Sequence, residues 1–226
     1  MLRTLLASNP SPMTLDGTRT FLVGHGRPAV IDPGPDDPRH LRAILDALAG
    51  TRPGAILLTH CHPDHAALAT RLSEATGTPV TQGDAETDTG AIRAIATPGH
   101  PPDHVCFLWE DTLFVGDLFM GEGDTTLVAS PEGDLRAYLG SLERVRELAP
   151  QVLYPAHGPP IADPLEAVRR YRRHREERIQ QVRDAMRRTR SSEPAVLVRS
   201  VYGPQLHPGL RSAAEGSVRA ILDYLR

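Results

Sequence analysis

The stretch AILLTHCHPDHAALA, residues 55–69, runs from a continuous apolar segment into three histidines and an aspartate crowded between positions 60 and 65. AILLT (55–59) has the length of a strand and no polar alternation, as a strand buried on both faces does. Beyond it, His60 and His62 alternate along extended chain and point to one side. The chain then turns, and Asp64 and His65 enter a helix predicted over about 65–75 and closed by Gly77. So many polar groups at the end of a buried strand would cost several kcal/mol if left unpaired, on the order of 2–7 per group. Imidazoles and a carboxylate placed this way bind one or two metal ions, which removes that cost. Ordinary solvated histidines are the plainer reading, and the spacing weighs against it.

A metal site draws on more than one segment, and three further stretches offer ligands at strand boundaries. TPGHPPDH (97–104) supplies His100 and His104, FVGDLF (114–119) supplies Asp117, and YPAHGP (154–159) supplies His157. The set divides into two ions. His60, His62 and His100 hold one; Asp64, His65 and His157 hold the other; Asp117, with two oxygens, bridges them. His104 is assigned behind the ligands, with a structural hydrogen bond and a substrate contact weighing equally.

The pattern H-x-H-x-D-H at 60–65, followed by His100, Asp117 and His157, resembles the metallo-β-lactamase superfamily over residues 9–160. The resemblance implies a four-layer αβ/βα sandwich and a metal-dependent hydrolase using a metal-bridged hydroxide. Two Zn2+ per chain are expected, with Mn2+ or Fe2+ as alternatives, and Asp64 would orient the nucleophile as well as bind metal. Asp32 in VIDPG sits where the family carries an aspartate behind the ligands, which would accept a hydrogen bond from a ligand imidazole. His62, where a redox di-iron branch has glutamate, and Asp117, where antibiotic-hydrolysing members have cysteine, point away from both of those groups. NPSPMTLDGTRTFLVG, GDLFMGEGDTTL and YPAHGPPI are similar to a narrower subgroup, that of the mitochondrial lactamase-B-like endoribonuclease and glyoxalase II-like hydrolases. YRRHREERIQQV and SVYGPQLHPGLRSAAEGSVRAIL resemble that subgroup's winged-helix-like C-terminal module. Two departures stand out. Arg19 replaces an asparagine in GTNTYLV and sets a cation near an active-site loop, and Ala66-Ala67 replace a common glycine pair.

The totals bound the rest. The chain has 226 residues, 40% hydrophobic and 23% charged, enough for one sizeable domain with a small appendage. The expected division is a catalytic domain over 1–162 and a helical, winged-helix-like subdomain over 163–226. Strands are predicted at 18–24, 28–32, 55–59, 78–82, 91–96, 105–109, 112–116 and 152–155, and helices at 38–48 and 134–148. Helical spacing resumes at 163–188, with Leu165, Val168, Tyr171, Ile179, Val182 and Met186 on one stripe, then at 194–202 and 210–225.

No apolar run approaches the roughly 20 residues of a bilayer span, and MLRTLLASNPSPM is too short for a secretory core, so a cytoplasmic address without membrane contact is expected. Cys61 and Cys106 read as buried free thiols. His25, His40 and His207 read as surface residues, and His174 as packing against the catalytic domain.

Charge is uneven: the first 162 residues carry 11 Arg against 20 acidic residues, and the remainder 14 Arg against 8. A basic tail suits phosphate-rich partners, but the chain has no lysine at all, so arginine is its default cation. Substrate RNA is one expected partner, a small thioester or lactone the other, and a homo-oligomer is left open. The function readings are a single-strand-specific endoribonuclease, a thioesterase of the hydroxyacylglutathione hydrolase type or lactonase, and a non-catalytic binding module. The complete ligand set counts against the last.

Overall fold

The computed structural model describes residues 1–123 and 125–226; position 124, inside the 116–127 motif, lies outside the described residues. The chain forms two compact units. The first comprises Met1–Ala96, Val105–Gly123 and Pro150–Pro164; the second takes residues 97–104, 125–149 and 165–226. The expected boundary at 162/163 lies beside the last crossing, and two earlier excursions also group with the C-terminal helices.

The first unit is an α/β sandwich of two mixed five-stranded sheets. One sheet has the order β1 (Leu2–Leu6), β2 (Arg19–Val23), β3 (Ala29–Ile31), β4 (Ala55–Leu57), β5 (Val80–Thr81). The other sheet runs from β6 (Ala85–Thr87) through β7 (Gly90–Ala96), β8 (Val105–Trp109) and β9 (Thr112–Gly116) to β10 (Val152–Pro155). β3 pairs in parallel with β4, β4 with β5, and β9 with β10; every other pairing is antiparallel.

Residue alternation explains why the central strands read as unbroken apolar runs. Phe21, Val23, Ala29, Ile31, Ala55 and Leu57 project between the sheets and meet Ile92, Phe107 and Phe114. Their neighbours Leu22, Val30 and Ile56 project the other way, onto Ile44 and Leu48 of α1 (Pro38–Leu48) and onto Leu68 and Leu72. A strand covered on both faces has no side to leave polar. α1 starts with Asp37 accepting from the Arg39 amide and Pro38 in the first turn, and it closes on Ala49 in the left-handed region at φ +50°.

The helix expected after the histidine motif is two pieces, α2 (Pro63–Ala66) and α3 (Ala69–Thr76), ending on Gly77. Pro63 opens the first, so the turn of helix begins before His65. β1 and β6, both at sheet edges and short of apolar alternation, are strands that the pattern did not show.

The second unit is helical: α4 (Leu135–Leu148), α5 (Pro164–Thr189, of which Leu165 onward lies here), α6 (Pro194–Tyr202) and α7 (Arg211–Tyr224). Along α5, Val168, Tyr171, Ile179 and Val182 are buried as the stripe predicts, but Leu165 is 43% exposed and Met186 half-buried. The stripe overreached at the first turn, where few neighbours reach a helix end. Residues 163–226 contain helices and a short 3₁₀ turn (Pro208–Leu210), without a β-hairpin to form a wing. No helix among the described residues is long and apolar enough to cross a membrane.

Two further expectations change. Cys61 is exposed, because it sits on the outer side of the turn after β4; Cys106, in the middle of β8, is buried, and neither forms a disulfide. His40 is buried rather than superficial, its Nε2 2.7 Å from the Thr20 hydroxyl. It lies on the inner face of α1, and burial pushes its imidazole below the ordinary value.

Candidate metal centre

The site in the first unit grows out of its parallel strand pairs. In two of them, β3–β4 and β9–β10, the residues within three positions of the strand ends carry the chemistry. Asp32 follows β3, Thr59 and His60 follow β4, Asp117 follows β9, and His157 follows β10. Register sets these positions: the Asp32 amide bonds the Leu57 carbonyl at 2.9 Å, and the Ala156 amide bonds the Gly116 carbonyl at 3.1 Å. His62 precedes α2, whose first turn carries Asp64 and His65. Ligand atoms of His60, His65 and Asp117 lie within 4.8 Å of one another, and so do those of Asp64, His65 and His157. Asp117 Oδ1 is 3.4 Å from His65 Nε2 and 3.2 Å from His157 Nε2, and Asp64 Oδ2 is 3.2 Å from His157 Nε2.

Hydrogen bonds on the far side of the rings fix which nitrogen each offers. The Asp32 carboxylate only accepts, and it lies 3.0 Å from His65 Nδ1, so the proton is on Nδ1 and Nε2 faces the cluster. Thr59 donates its hydroxyl to Asp32 Oδ2 at 2.7 Å. Its oxygen then accepts from His60 Nδ1 at 3.1 Å, which leaves the lone pair on His60 Nε2. The Gly17 carbonyl accepts from His157 Nδ1 at 3.2 Å, again leaving Nε2. Gly17 reaches that position at φ +134°, and any Cβ there would run into the Ala7 carbonyl. His60 Nε2 and His62 Nδ1 face each other at 2.9 Å. With its own lone pair on Nε2, His60 accepts there from His62 Nδ1, and the nitrogens that carry a lone pair toward the cluster are Nε2 of His60, His65 and His157.

Charge is concentrated here out of solvent. His60, His65, Asp117 and His157 are buried, and His62 and Asp64 are half-buried. Burial opposes ionisation of Asp117, but the imidazoles of His65 and His157 overcome it and hold the carboxyl well below its ordinary value. Burial likewise opposes a charged His65, and the carboxylates of Asp117 and Asp32 still raise it well above the usual imidazole range. His157 rises against its own burial to about 9, through Asp117 and Asp64. Asp64 is lowered, burial opposing and His157 and His65 prevailing. The buried Nε2 atoms of His65 and His157 make no well-formed hydrogen bond among the described residues, although carboxylate oxygens surround them. Imidazole nitrogens and carboxylates converging without satisfying one another are the donor set that a divalent transition metal completes.

The remaining candidates are in the second unit. His100 sits on the 97–104 loop with its Nδ1 2.6 Å from the Leu127 carbonyl, so Nε2 is the nitrogen that carries no proton in the neutral ring. His104, fully buried, has Nδ1 2.8 Å from the Thr97 hydroxyl. His174 is half-buried on α5. Arg19, in the first unit, is not a free cation at the site: its guanidinium forks onto Asp16 at 2.9 and 2.7 Å.

A family model for the metallo-β-lactamase superfamily matches residues 13–89. The chain is 35% identical to the β-lactamase-like protein 2 homolog of Drosophila melanogaster, over 79% of this chain and 71% of that protein. The chain belongs to the metallo-β-lactamase superfamily. It is also 35% identical to the lactamase-like protein aptB of Emericella nidulans, over 83% of this chain and 66% of that one. Among solved structures, a metallo-β-lactamase family protein from Thermus thermophilus has the same fold, with a TM-score of 0.76 at 22% identity, covering 100% of this chain and 93% of that one. TTHA1623, solved in a di-iron-bound form, is 28% identical with a TM-score of 0.59, covering 73% of this chain and 96% of that one. Superfamily membership makes this chain one of a family of metal-dependent hydrolases.

Thr59 and the carbonyls of Gly17 and Leu127 are contributors to which the spacing of the histidines and aspartates does not point. A threonine directly before the first histidine, able to reach both an aspartate and a ring nitrogen, was a readable signal. Backbone carbonyls carry none.

Proposed function

We propose that the protein is a binuclear zinc-dependent hydrolase. One ion is assigned to His60, His62 and His100, the last on the strength of the TPGHPPDH motif. The other is assigned to Asp64, His65 and His157, with Asp117 bridging. The observation that carries the reading is the placement of Asp117 Oδ1 within 3.4 Å of both His65 and His157 while grouped with His60, as a shared carboxylate requires. When bound, such ions supply a Lewis acid and a hydroxide nucleophile near neutral pH. The chain's own part is positional. Asp32, Thr59 and the Gly17 carbonyl lock three imidazoles in single tautomers. Asp64, ionised and half-exposed, stands where water reaches the cluster and orients the nucleophile.

The substrate reading is single-stranded RNA, supported by the similarity of the 9–160 motifs and the 163–226 segment to the endoribonuclease subgroup and by the excess of arginine after residue 162. A thioester or lactone is favoured by a separate observation. Arg169, Arg172 and Arg187 of α5 are engaged by Glu166, Glu143 with Glu176, and Asp184, so part of that charge is spent within the protein. Zinc- or manganese-loaded protein assayed against labelled single-stranded RNA, S-lactoylglutathione and a homoserine lactone separates the two. RNA cleavage that weakens steeply with added salt supports the nuclease; turnover of the acyl substrates alone rejects it. Full turnover by His60→Ala or Asp117→Ala protein would reject the metal mechanism itself.

A further inference from the structure

We infer that Arg175, on α5, is a positioning residue that fixes the ring of His100. The inference rests on the ligand role proposed for His100, and its geometry lies entirely within the second unit. The loop carrying His100 is pinned along one side by α4. The Asp134 amide bonds the Gly99 carbonyl at 3.0 Å, and the Ser141 hydroxyl bonds the Pro98 carbonyl at 2.7 Å. Gly99, at φ +129°, lies so close to the Tyr138 backbone that a Cβ would overlap it. These contacts place the loop, but contacts to its backbone do not by themselves orient the imidazole about its own bonds.

The ring is held from the other side. Its Nδ1 reaches the carbonyl of Leu127, in a segment outside any helix or strand that the Ser130 amide ties downstream to the Gly216 carbonyl at 3.1 Å. Arg175 holds it at the other end, donating from its guanidinium to the adjacent carbonyl, that of Thr126. The guanidinium carbon also stands 5.0 Å from the centroid of the Tyr138 ring. Arg175 is 6% exposed and Tyr138 fully buried, so a cation has been taken out of water to make these contacts. One buried side chain therefore spans from the helix under Gly99 to the peptide next to the one that accepts the His100 proton. An acceptor held rigidly at Nδ1 commits the other nitrogen, Nε2, to metal.

The test reads the imidazole directly. In metal-free protein at pH 8, long-range proton–nitrogen spectra of the histidine side chains should show His100 as a single Nδ1–H tautomer with a slowly exchanging proton. Arg175→Met should lose that protection and populate both tautomers, while Arg175→Lys, which keeps a donor and the charge, should restore most of it. In zinc competition, Arg175→Met should weaken one of the two ions about tenfold and leave the other within twofold. An unchanged His100 signal in Arg175→Met, or in Arg175→Gln (too short to reach the Thr126 carbonyl) if the first variant does not fold, together with an equal effect on both ions, would overturn the inference. If the wild type binds no zinc, the metal reading fails, and the spectra still decide whether Arg175 orients the ring.

Discussion

Replacing Asp32 by asparagine probes the site through a residue that touches no metal. Asp32 takes three donors on two oxygens: the Thr59 amide at 2.8 Å, the Thr59 hydroxyl at 2.7 Å and His65 Nδ1 at 3.0 Å. Its φ of +49° is one that asparagine also tolerates, so the backbone is not disturbed. Asparagine has one oxygen. If that oxygen faces the Thr59 hydroxyl and His65, the new NH2 opposes the Thr59 amide; if it flips, the NH2 opposes His65 and the hydroxyl. Either way a buried donor meets a donor, at about 1–3 kcal/mol. The ionised acceptor that sharpens His65 as a ligand is also lost, which corresponds to roughly 10–100-fold in metal affinity, or about 1.4–2.7 kcal/mol. Because the Thr59 hydroxyl also receives His60, the loss should extend to both ions. Competition against a chromophoric zinc chelator measures the affinity, and urea unfolding of the metal-free protein measures the stability. An affinity within twofold of wild type would refute the tautomer argument.

The metal-free protein should also show opposed pH dependences at its two ends. His157 is raised to about 9, so its contribution of roughly 2–4 kcal/mol is complete below about pH 6.5 and disappears as pH climbs through about 9. Asp117 is depressed, so its contribution is present above the ordinary carboxylate range and fades as pH falls toward its lowered value. Denaturant midpoints across pH 4 to 10 check both signs, and a midpoint that keeps rising from pH 7 to pH 10 would contradict the first. Gly99→Ala should destabilise by several kcal/mol, about 3 or more, because its Cβ meets the Tyr138 backbone at a positive φ. Thermal unfolding reads this, and a loss of only a few tenths would show that the loop yields.

How much was legible beforehand depends on what kind of atom carries the information. Elements whose side chains alternate or recur on a face were readable: α1 begins and ends as predicted, and β8, β9 and β10 match residue for residue. β1 and β6 were not, since an edge strand exposes one flank and needs no apolar face. The candidate ligands stand out in the sequence because His60, His62, Asp64 and His65 are improbable at that density. The parts that orient them were hidden, since Gly17 and Leu127 act through carbonyls and reach their rings across 140 and 27 positions of chain. His40 misled for a related reason: its partner, Thr20, lies 20 residues away on β2. Arg19 and the arginines of α5 looked like free charge because ion pairing cannot be read from composition.

Metal content measured on the loaded wild-type protein and on Asp117→Asn, after exhaustive removal of free ion, bears most directly on the shared-carboxylate centre. The wild type should retain two equivalents of zinc per chain, and Asp117→Asn should retain one or fewer, since a neutral amide cannot bridge two cations. Two equivalents held equally tightly by both proteins, or none held by the wild type, would contradict it.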